Sequence, residues 1–372
     1  MEVFITIVIW AAILQGLLLG VIFITSEKHR SFANQLLGSF LLTFVFAALT
    51  DLLPFEEIWG YSIQGYFTLP EVKLLFPVLF LHFVLEKVGR SSSYGRFLEI
   101  HYFLAFGVIG ITVVNIILFL STGRSLLEYL GWSVVDRFFM GQQYYAFALS
   151  VIVFVLAIKE TLRYRDLIRN EFTDMALLDI KWLWQCIFGI APIILFWGAE
   201  LVRIITGGDG QSDLTIAAYI FIAAFNYFVS FKAFTQQTLF DGTRDTLKPL
   251  DPDASISNKA GTEVDVELCG AIKSEMLTKE YYLNQELTLH VFASEIQVPA
   301  RTISTCINQK LGLNFNEWVN NYRVDKALEI IKNDSKNQLT IEGIGFDAGF
   351  KSRSAMYSAF KKKLGQSPGH FR

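Results

Sequence analysis

The sequence predicts an all-α chain in two parts: a polytopic membrane domain of about seven transmembrane helices, then a small helical domain with two helix-turn-helix units joined by a long helix. Three observations carry this. The 372 residues are 52% hydrophobic and 15% aromatic but only 18% charged, with a mean hydropathy of +0.40, too apolar for an ordinary water-facing surface. The excess is concentrated before residue 235, in stretches long enough to cross a bilayer. The last hundred or so residues are polar, with apolar side chains at helical spacing between glycine and proline turn signals.

The predicted spans run roughly Val3–Thr25, Gln35–Leu53, Leu69–Leu85, Leu98–Leu120, Gln142–Ile158, Lys181–Ile205 and Leu214–Phe234. The first lacks the basic start and small-residue cleavage site of a secretory signal, so it is expected to persist as a helix. Cationic residues orient the set, because cytoplasmic loops carry the surplus of Lys and Arg. The first, third and fifth loops hold Lys28, Arg30, Lys87, Arg90, Arg96, Lys159, Arg163, Arg165, Arg169 and Lys181. The other three hold only Arg124 and Arg137. The first set is therefore expected in the cytoplasm, with the N-terminus outside and, after an odd number of spans, the C-terminus inside. Trp59, Tyr61, Trp132 and Trp197 are expected as belt residues near the outer face, Trp182 and Trp184 near the inner.

Residues 1–235 thus form the expected membrane domain, 236–270 a polar linker with Pro249, Pro252 and Gly261, and 271–372 a separate helical domain. In that domain a helix is expected around Ala271–Lys279. Another lies within Leu287–Ile296, and a turn at Val298–Pro299 leads to a helix over Ala300–Lys310, ended by Gly312. A long helix follows over about Asn314–Lys332, burying Phe315, Trp318, Val319, Tyr322, Ala327 and Ile331. The final stretch reads L-T-I-E-G-I-G-F-D-A-G-F-K-S-R-S-A-M-Y-S-A-F-K-K-K-L-G-Q-S-P-G-H-F-R. It predicts a helix from about Thr340 to Asp347, a turn at Gly349–Phe350, and a second helix capped by Ser352 and stopped at Gly365.

Charge divides with the domains. The whole chain is −3, but residues 271–372 carry 14 Lys and Arg against 10 Asp and Glu, whereas 236–270 carry 3 against 7. The local basic surplus suits a polyanionic partner at the C-terminal end. Cys186, Cys269 and Cys306 lie far apart without C-x-x-C spacing, which argues against zinc. Free, reduced thiols are the expectation, with Cys306 at a buried helical position. No cofactor is expected.

The final stretch resembles the second helix-turn-helix of the AraC-type transcription regulators. Ile344, Gly349, Phe350, Ser352, Ser354, Phe360, Lys361, Lys362, Gly365, Ser367, Pro368, Phe371 and Arg372 match the family's pattern. Gly345 stands where that pattern has Ala, Met356 where it has Phe, and Ser358 where it has Arg. Upstream, R-T-I-S-T-C-I-N and Y-R-V-D-K-A resemble the family's first unit and joining helix, so the likeness covers roughly the last hundred residues. It implies a regulator that binds double-stranded DNA, with the second helix of each unit in the major groove. Membrane-bound members of the family place such a domain in the bacterial cytoplasm beneath the inner membrane. The first turns of the two recognition helices then select Arg301, Ser304 and Thr305 in one unit and Arg353, Ser354, Tyr357 and Ser358 in the other as base-facing. Arg301 and Arg353 suit guanine, or else phosphate; Lys361 and Lys362, with Lys363, suit phosphate or solvent. Ile303, Ile307, Met356 and Phe360 fall on the opposite faces as core. Pro299 replaces a serine cap, and Thr305 and Ser358 stand where arginines are common, so readout rests on Arg301 and Arg353.

In the membrane part Asp51, Glu71, Lys73, Gln142, Glu200 and Arg203 fall near the outer ends of different spans. They form either a polar vestibule for a small-molecule or protein signal or charges that simply meet headgroups. Glu71 follows Pro70 at an expected helix start, and Glu200 and Arg203 are spaced to pair. His82 and Glu86 sit one turn apart, but no further metal ligands converge. Neither H-E-x-x-H nor G-x-S-x-G occurs, so an enzyme is not expected. Three readings stay open: a membrane-embedded regulator that responds to an extracytoplasmic or membrane signal, with a second copy as a plausible partner; a transporter or receptor-like protein whose tail is a tether; and a tail freed by proteolysis.

Overall fold

The structure is a computed structural model that describes residues 2–27, 31–52, 71–171, 180–208, 213–235, 266–334 and 338–372. Among these the secondary structure is helical, with no strand. The chain forms two compact units, residues 1–161 with 181–250, and 162–180 with 251–372.

The first unit begins with α1 (Glu2–Thr25) and α2 (Phe32–Leu52), apolar around most of their circumference. They meet through glycines: a Cβ added to Gly38 would stand 2.8 Å from the Gly20 carbonyl oxygen. Small residues at such a crossing let two backbones approach where no hydrophobic driving force separates helix from lipid. Next comes α3 (Leu75–Lys87), in which Val78, Leu81, Phe83, Val84 and Leu85 are all fully buried. A helix apolar on every side needs neighbours on every side, and α3 occupies an interior place against α2. A 3₁₀ turn at Ser91–Tyr94 leads into α4 (Gly95–Thr122), then the short α5 (Leu126–Leu130) and the 40-residue α6 (Trp132–Glu171). The unit closes with α7 (Ile180–Ile205) and α8 (Asp213–Thr235); on α8, Asn226 Nδ2 donates to the Ala12 carbonyl of α1 at 3.4 Å.

Six helices among the described residues are long and apolar enough to cross a membrane: Ile7–Thr25, Phe32–Leu49, Ser91–Thr122, Trp132–Asn170, Lys181–Ile205 and Asp213–Lys232. The third expected span differs. Its described helix begins at Leu75, and those 13 residues rise about 20 Å, short of the ~30 Å hydrocarbon core. Its expected start at Leu69, like Trp59 and Tyr61, lies outside the described residues. The expected Gln142–Ile158 span extends at both ends, since polar Ser133, Asp136 and Arg137 continue the helix that an apolar window excludes. Trp182 is a core residue, not a belt residue, because its ring stands edge-on to Phe83 at 5.7 Å. Where the charged end of α6 begins, buried Glu160 accepts from the Tyr94 hydroxyl at 2.8 Å and faces Arg90 Nε at 3.5 Å.

The second unit carries α9 (Val266–Thr278), a 3₁₀ turn at Tyr281–Leu283, α10 (Leu289–Ile296), α11 (Ala300–Leu311), α12 (Phe315–Asn333), α13 (Ile341–Asp347), α14 (Arg353–Leu364) and a 3₁₀ turn at Pro368–Phe371. The helix expected at Ala271 begins five residues earlier, inside the expected linker, whose residues 236–265 lie outside the described set. Two apolar cores flank α12. One gathers Ile272, Phe292, Ile303 and Ile307 around Phe315 and Trp318 from the start of α12. The other gathers Ile344, Phe350, Met356 and Phe360 around Val324, Ala327 and Ile331 from its end. One long helix therefore walls both units, as its apolar spacing predicts. Tyr322 is only half-buried, while Arg323 and Val324 take the place expected of it. The cysteines correct the expectation of free thiols. Cys269 of α9 and Cys306 of α11 are disulfide-bonded, their Cα atoms 5.8 Å apart; packing of α9 on α11 brings together residues 37 apart, which spacing alone does not reveal. Cys186 is free and buried.

Candidate nucleic-acid interface

Each recognition helix is fixed by local chemistry at its ends. In the first unit α10 is capped by Thr288, whose hydroxyl accepts from Val291 N–H at 3.2 Å. Gln297 turns the chain with a left-handed backbone (φ 54°), and Pro299 opens α11 without a side-chain cap. Proline suits this place because a helix start has N–H groups to spare. Gly312 (φ 65°) ends α11. In the second unit Thr340 and Ser352 cap α13 and α14, accepting from Gly343 N–H at 3.0 Å and Ala355 N–H at 3.2 Å. The turn between them needs Gly349 (φ 90°), where a Cβ would also strike the Tyr282 carbonyl oxygen at 2.5 Å. Two departures from the family pattern compensate one another: a Cβ on Gly345 would meet Met356 Sδ at 2.8 Å, so the missing methyl makes room for the thioether.

On α11, Arg301 is exposed in the first turn, and Ser304 and Thr305 are half-buried. Thr305 Oγ1 donates back to the Arg301 carbonyl at 2.8 Å, and Ser304 Oγ accepts from Asn308 Nδ2 at 3.2 Å. On α14, Arg353, Ser354 and Ser358 are exposed and Tyr357 is half-buried. The Arg353 guanidinium lies 5.1 Å from the Tyr357 ring centre, and it donates to the Tyr357 hydroxyl at 3.4 Å and to Glu342 Oε1 at 2.9 Å. Tyr357 first and Glu342 second hold its pKa above the ordinary arginine value. Arg353 is therefore braced before it meets any ligand, with a planar donor fork at the mouth of the second unit. Ile303, Ile307, Met356 and Phe360 are all buried, as their spacing predicts.

The three lysines at the end of α14 divide. Lys361 is exposed, Lys362 pairs with Glu317 of α12, and Lys363 pairs with Asp325 and donates to the Asn321 carbonyl. Two of them thus anchor α14 to α12. Glu342 and Glu317 were not singled out in the sequence; a carboxylate has no chemistry of its own for a polyanion, and only the packing shows which cations it holds. Arg323 did carry a legible signal. It lies on the stripe Phe315, Val319, Arg323, Ala327, Ile331, spaced by four, where an apolar residue is the rule.

In the N-terminal unit, four of the polar residues expected at outer span ends form two separate pairs. Glu200 and Arg203 form a two-point pair, Nη2 to Oε1 at 2.7 Å and Nε to Oε2 at 3.1 Å. Glu71 accepts from Lys73 N–H at 2.9 Å, and its own N–H donates to Thr112 Oγ1 at 3.2 Å. Because α3 starts only at Leu75, Glu71 serves the turn that leads into it and not the helix terminus. Gln142 is buried, with its side-chain amide lacking a hydrogen-bond partner among the described residues. The side chain of Asp51 lies outside the described set. His82 Nδ1 meets the Tyr102 hydroxyl at 3.0 Å beside the Phe32 ring, and Glu86 is not among these contacts.

Comparison with known proteins bears on the second unit. Residues 292–372 match the family model described as a helix-turn-helix domain. The chain is 34% identical over 91 residues to a Bacillus subtilis (strain 168) protein described as "Uncharacterized HTH-type transcriptional regulator YfiF", a likeness covering 24% of this chain and 27% of that protein. The chain thus spans about a quarter of that relative's length. No solved structure matches. With its paired capped units and shared wall helix, the C-terminal segment of this chain is a DNA-binding helix-turn-helix domain of the AraC type, the kind found in transcription regulators.

Proposed function

We propose that the protein is a membrane-embedded, one-component transcription regulator, whose C-terminal domain binds promoter DNA site-specifically in the bacterial cytoplasm in response to an extracytoplasmic or membrane signal. The observation that carries the reading is the joining, in one chain, of six bilayer-length apolar helices to two recognition helices with exposed arginines in their first turns. The surfaces support it. Side chains such as Phe103, 78% exposed, and Leu195, 69% exposed, stand out from the long helices, where hydrocarbon and not water is the compatible medium. With the third apolar stretch counted as a seventh crossing, the loop arithmetic of Lys and Arg favours a cytoplasmic C-terminal end without reference to what it binds.

In this reading residues 1–235 receive the signal, 236–270 link, and 271–372 bind the duplex. Arg301, Ser304, Thr305, Arg353, Ser354, Tyr357 and Ser358 face bases or groove walls, Lys361 meets phosphate, and Lys362 does so on leaving its pairing with Glu317. Glu71, Lys73, Gln142, Glu200, Arg203 and Asp51 are the candidates for reception, and a change in packing or self-association of the membrane helices alters promoter affinity. Two linked tails gain avidity by effective concentration. The test is crosslinking and sequencing of DNA bound to the tagged full chain in carbonate-washed membranes. A few enriched promoters are expected, lost with Arg301→Ala and Arg353→Ala together. Membrane retention with uniformly distributed DNA, unchanged in that double variant, would leave only a tether.

A further inference from the structure

We infer that Arg323 is a positioning residue for DNA recognition: it locks the two helix-turn-helix units at one separation, and so sets the spacing of the two sequence elements the domain accepts. The inference rests on the reading of the domain as a site-specific DNA binder.

Arg323 lies in the middle of α12 and is completely buried, at 0% exposure. Nε donates to the Tyr282 carbonyl at 2.7 Å and Nη2 to the Asn284 carbonyl at 2.8 Å, both in the segment that enters the first unit. Nη1 donates to Asn320 Oδ1 at 3.3 Å. The guanidinium carbon lies 5.9 Å from the ring centre of Phe350, which belongs to the turn of the second unit. One side chain thus touches both units and the helix between them. The contact is continued by backbone and surface. Gly349 lies so close to the first unit that a Cβ would meet the Tyr282 oxygen. Gln285 Nε2 donates to the Phe346 carbonyl at 3.4 Å, and Lys351 pairs with Glu286.

The choice of residue argues for positioning over simple filling. Burying a cation costs desolvation that an apolar side chain such as leucine avoids. A planar fork offers something leucine cannot: directional bonds to two fixed carbonyls at once, which define an angle and a distance. Where a buried charge is kept despite that cost, geometric uniqueness is the compensating gain to test for. A single wall helix leaves its two apolar cores free to rock about it. The Arg323 seam removes that freedom. Successive major-groove segments on one face of a duplex are about 10 base pairs apart, so a rigid pair of recognition helices accepts one separation and a loose pair accepts several.

The experiment is selection from a random duplex library with the full chain in detergent micelles, comparing the wild type with Arg323→Gln and Arg323→Lys. Wild-type sites should hold two short elements at one fixed separation. Arg323→Gln should select the same two elements over several separations, with Arg323→Lys in between. A merely structural role lowers affinity and thermal stability but leaves the separation alone, so a folded Arg323→Gln variant with the wild-type separation overturns the inference. If Arg323→Gln loses its helical signal, Glu286→Ala with Lys351→Ala decides from the exposed end of the same seam: a broadened separation supports the inference and an unchanged one overturns it. A wild type that enriches no sequence overturns the regulator reading itself, and this inference with it.

Discussion

Arg353 and Arg301 are the same residue type in the first turns of the two recognition helices, yet the structure treats them differently. Arg353 is stacked on Tyr357 and tied to Glu342, whereas Arg301 projects from the first turn of α11 as an exposed cation. A pre-ordered fork loses less freedom when it meets a guanine edge. Arg353→Ala is therefore expected to cost about 1–3 kcal/mol on a selected site and little on random DNA. Titration of both DNAs in parallel checks this, and an equal small loss on each would remove the base-reading role. Acid sensitivity also belongs to single residues. The N–H groups of Gln338 and then Leu339 bond the Asp334 carboxylate and hold its pKa below the ordinary aspartate value. Burial alone would raise Glu317, but Lys362 and the Asn314 side chain outweigh it and lower its pKa. A group whose folded pKa is depressed adds stability that is present above its unfolded pKa and lost as pH falls through the folded one. The domain should thus lose melting temperature from about pH 5 downward, and Asp334→Asn with Glu317→Gln should flatten that slope while lowering stability at neutral pH. Thermal melts across the acid range read both.

The elements are held by few, identifiable contacts. Loss of the Ser352 cap removes a partner from Ala355 N–H, so Ser352→Ala should lower stability by about 1 kcal/mol, and DNA affinity with it, since α14 begins there. In the N-terminal unit, α1 and α2 approach through Gly20 and Gly38. Gly38→Leu forces the crossing apart and should cost about 1–3 kcal/mol, seen as a lower unfolding temperature in detergent. A wild-type melt would place the contact outside the stable core. The bond between α9 and α11 is an element-scale feature as well. In the proposed cytoplasmic setting such pairs are kept reduced, so peptide mapping without reductant should recover Cys269 linked to Cys306 from air-exposed protein and not from cells quenched in alkylating agent.

At the scale of the molecule, the proposed arrangement sets a basic domain beside a membrane in a chain of net charge −3. Binding by that domain should be steeply salt-dependent, and Lys361→Ala should reduce the log–log slope by about one, the release of roughly one counterion. What the sequence determined by itself was what depends on spacing. Apolar runs of bilayer length, the cap Ser352, the turn glycines Gly312, Gly349 and Gly365, and the buried faces carrying Ile303 and Phe360 are all local regularities, which 3.6-residue periodicity and backbone sterics make readable along one chain. What only the tertiary structure decided joins residues that no spacing relates. Arg323 meets carbonyls 41 and 39 residues away. Cys269 meets Cys306, Lys362 meets Glu317, and the short α3 ends up mostly interior. Such contacts depend on how helices cross, and crossing is fixed by the summed fit of many side chains, a property that no single segment carries.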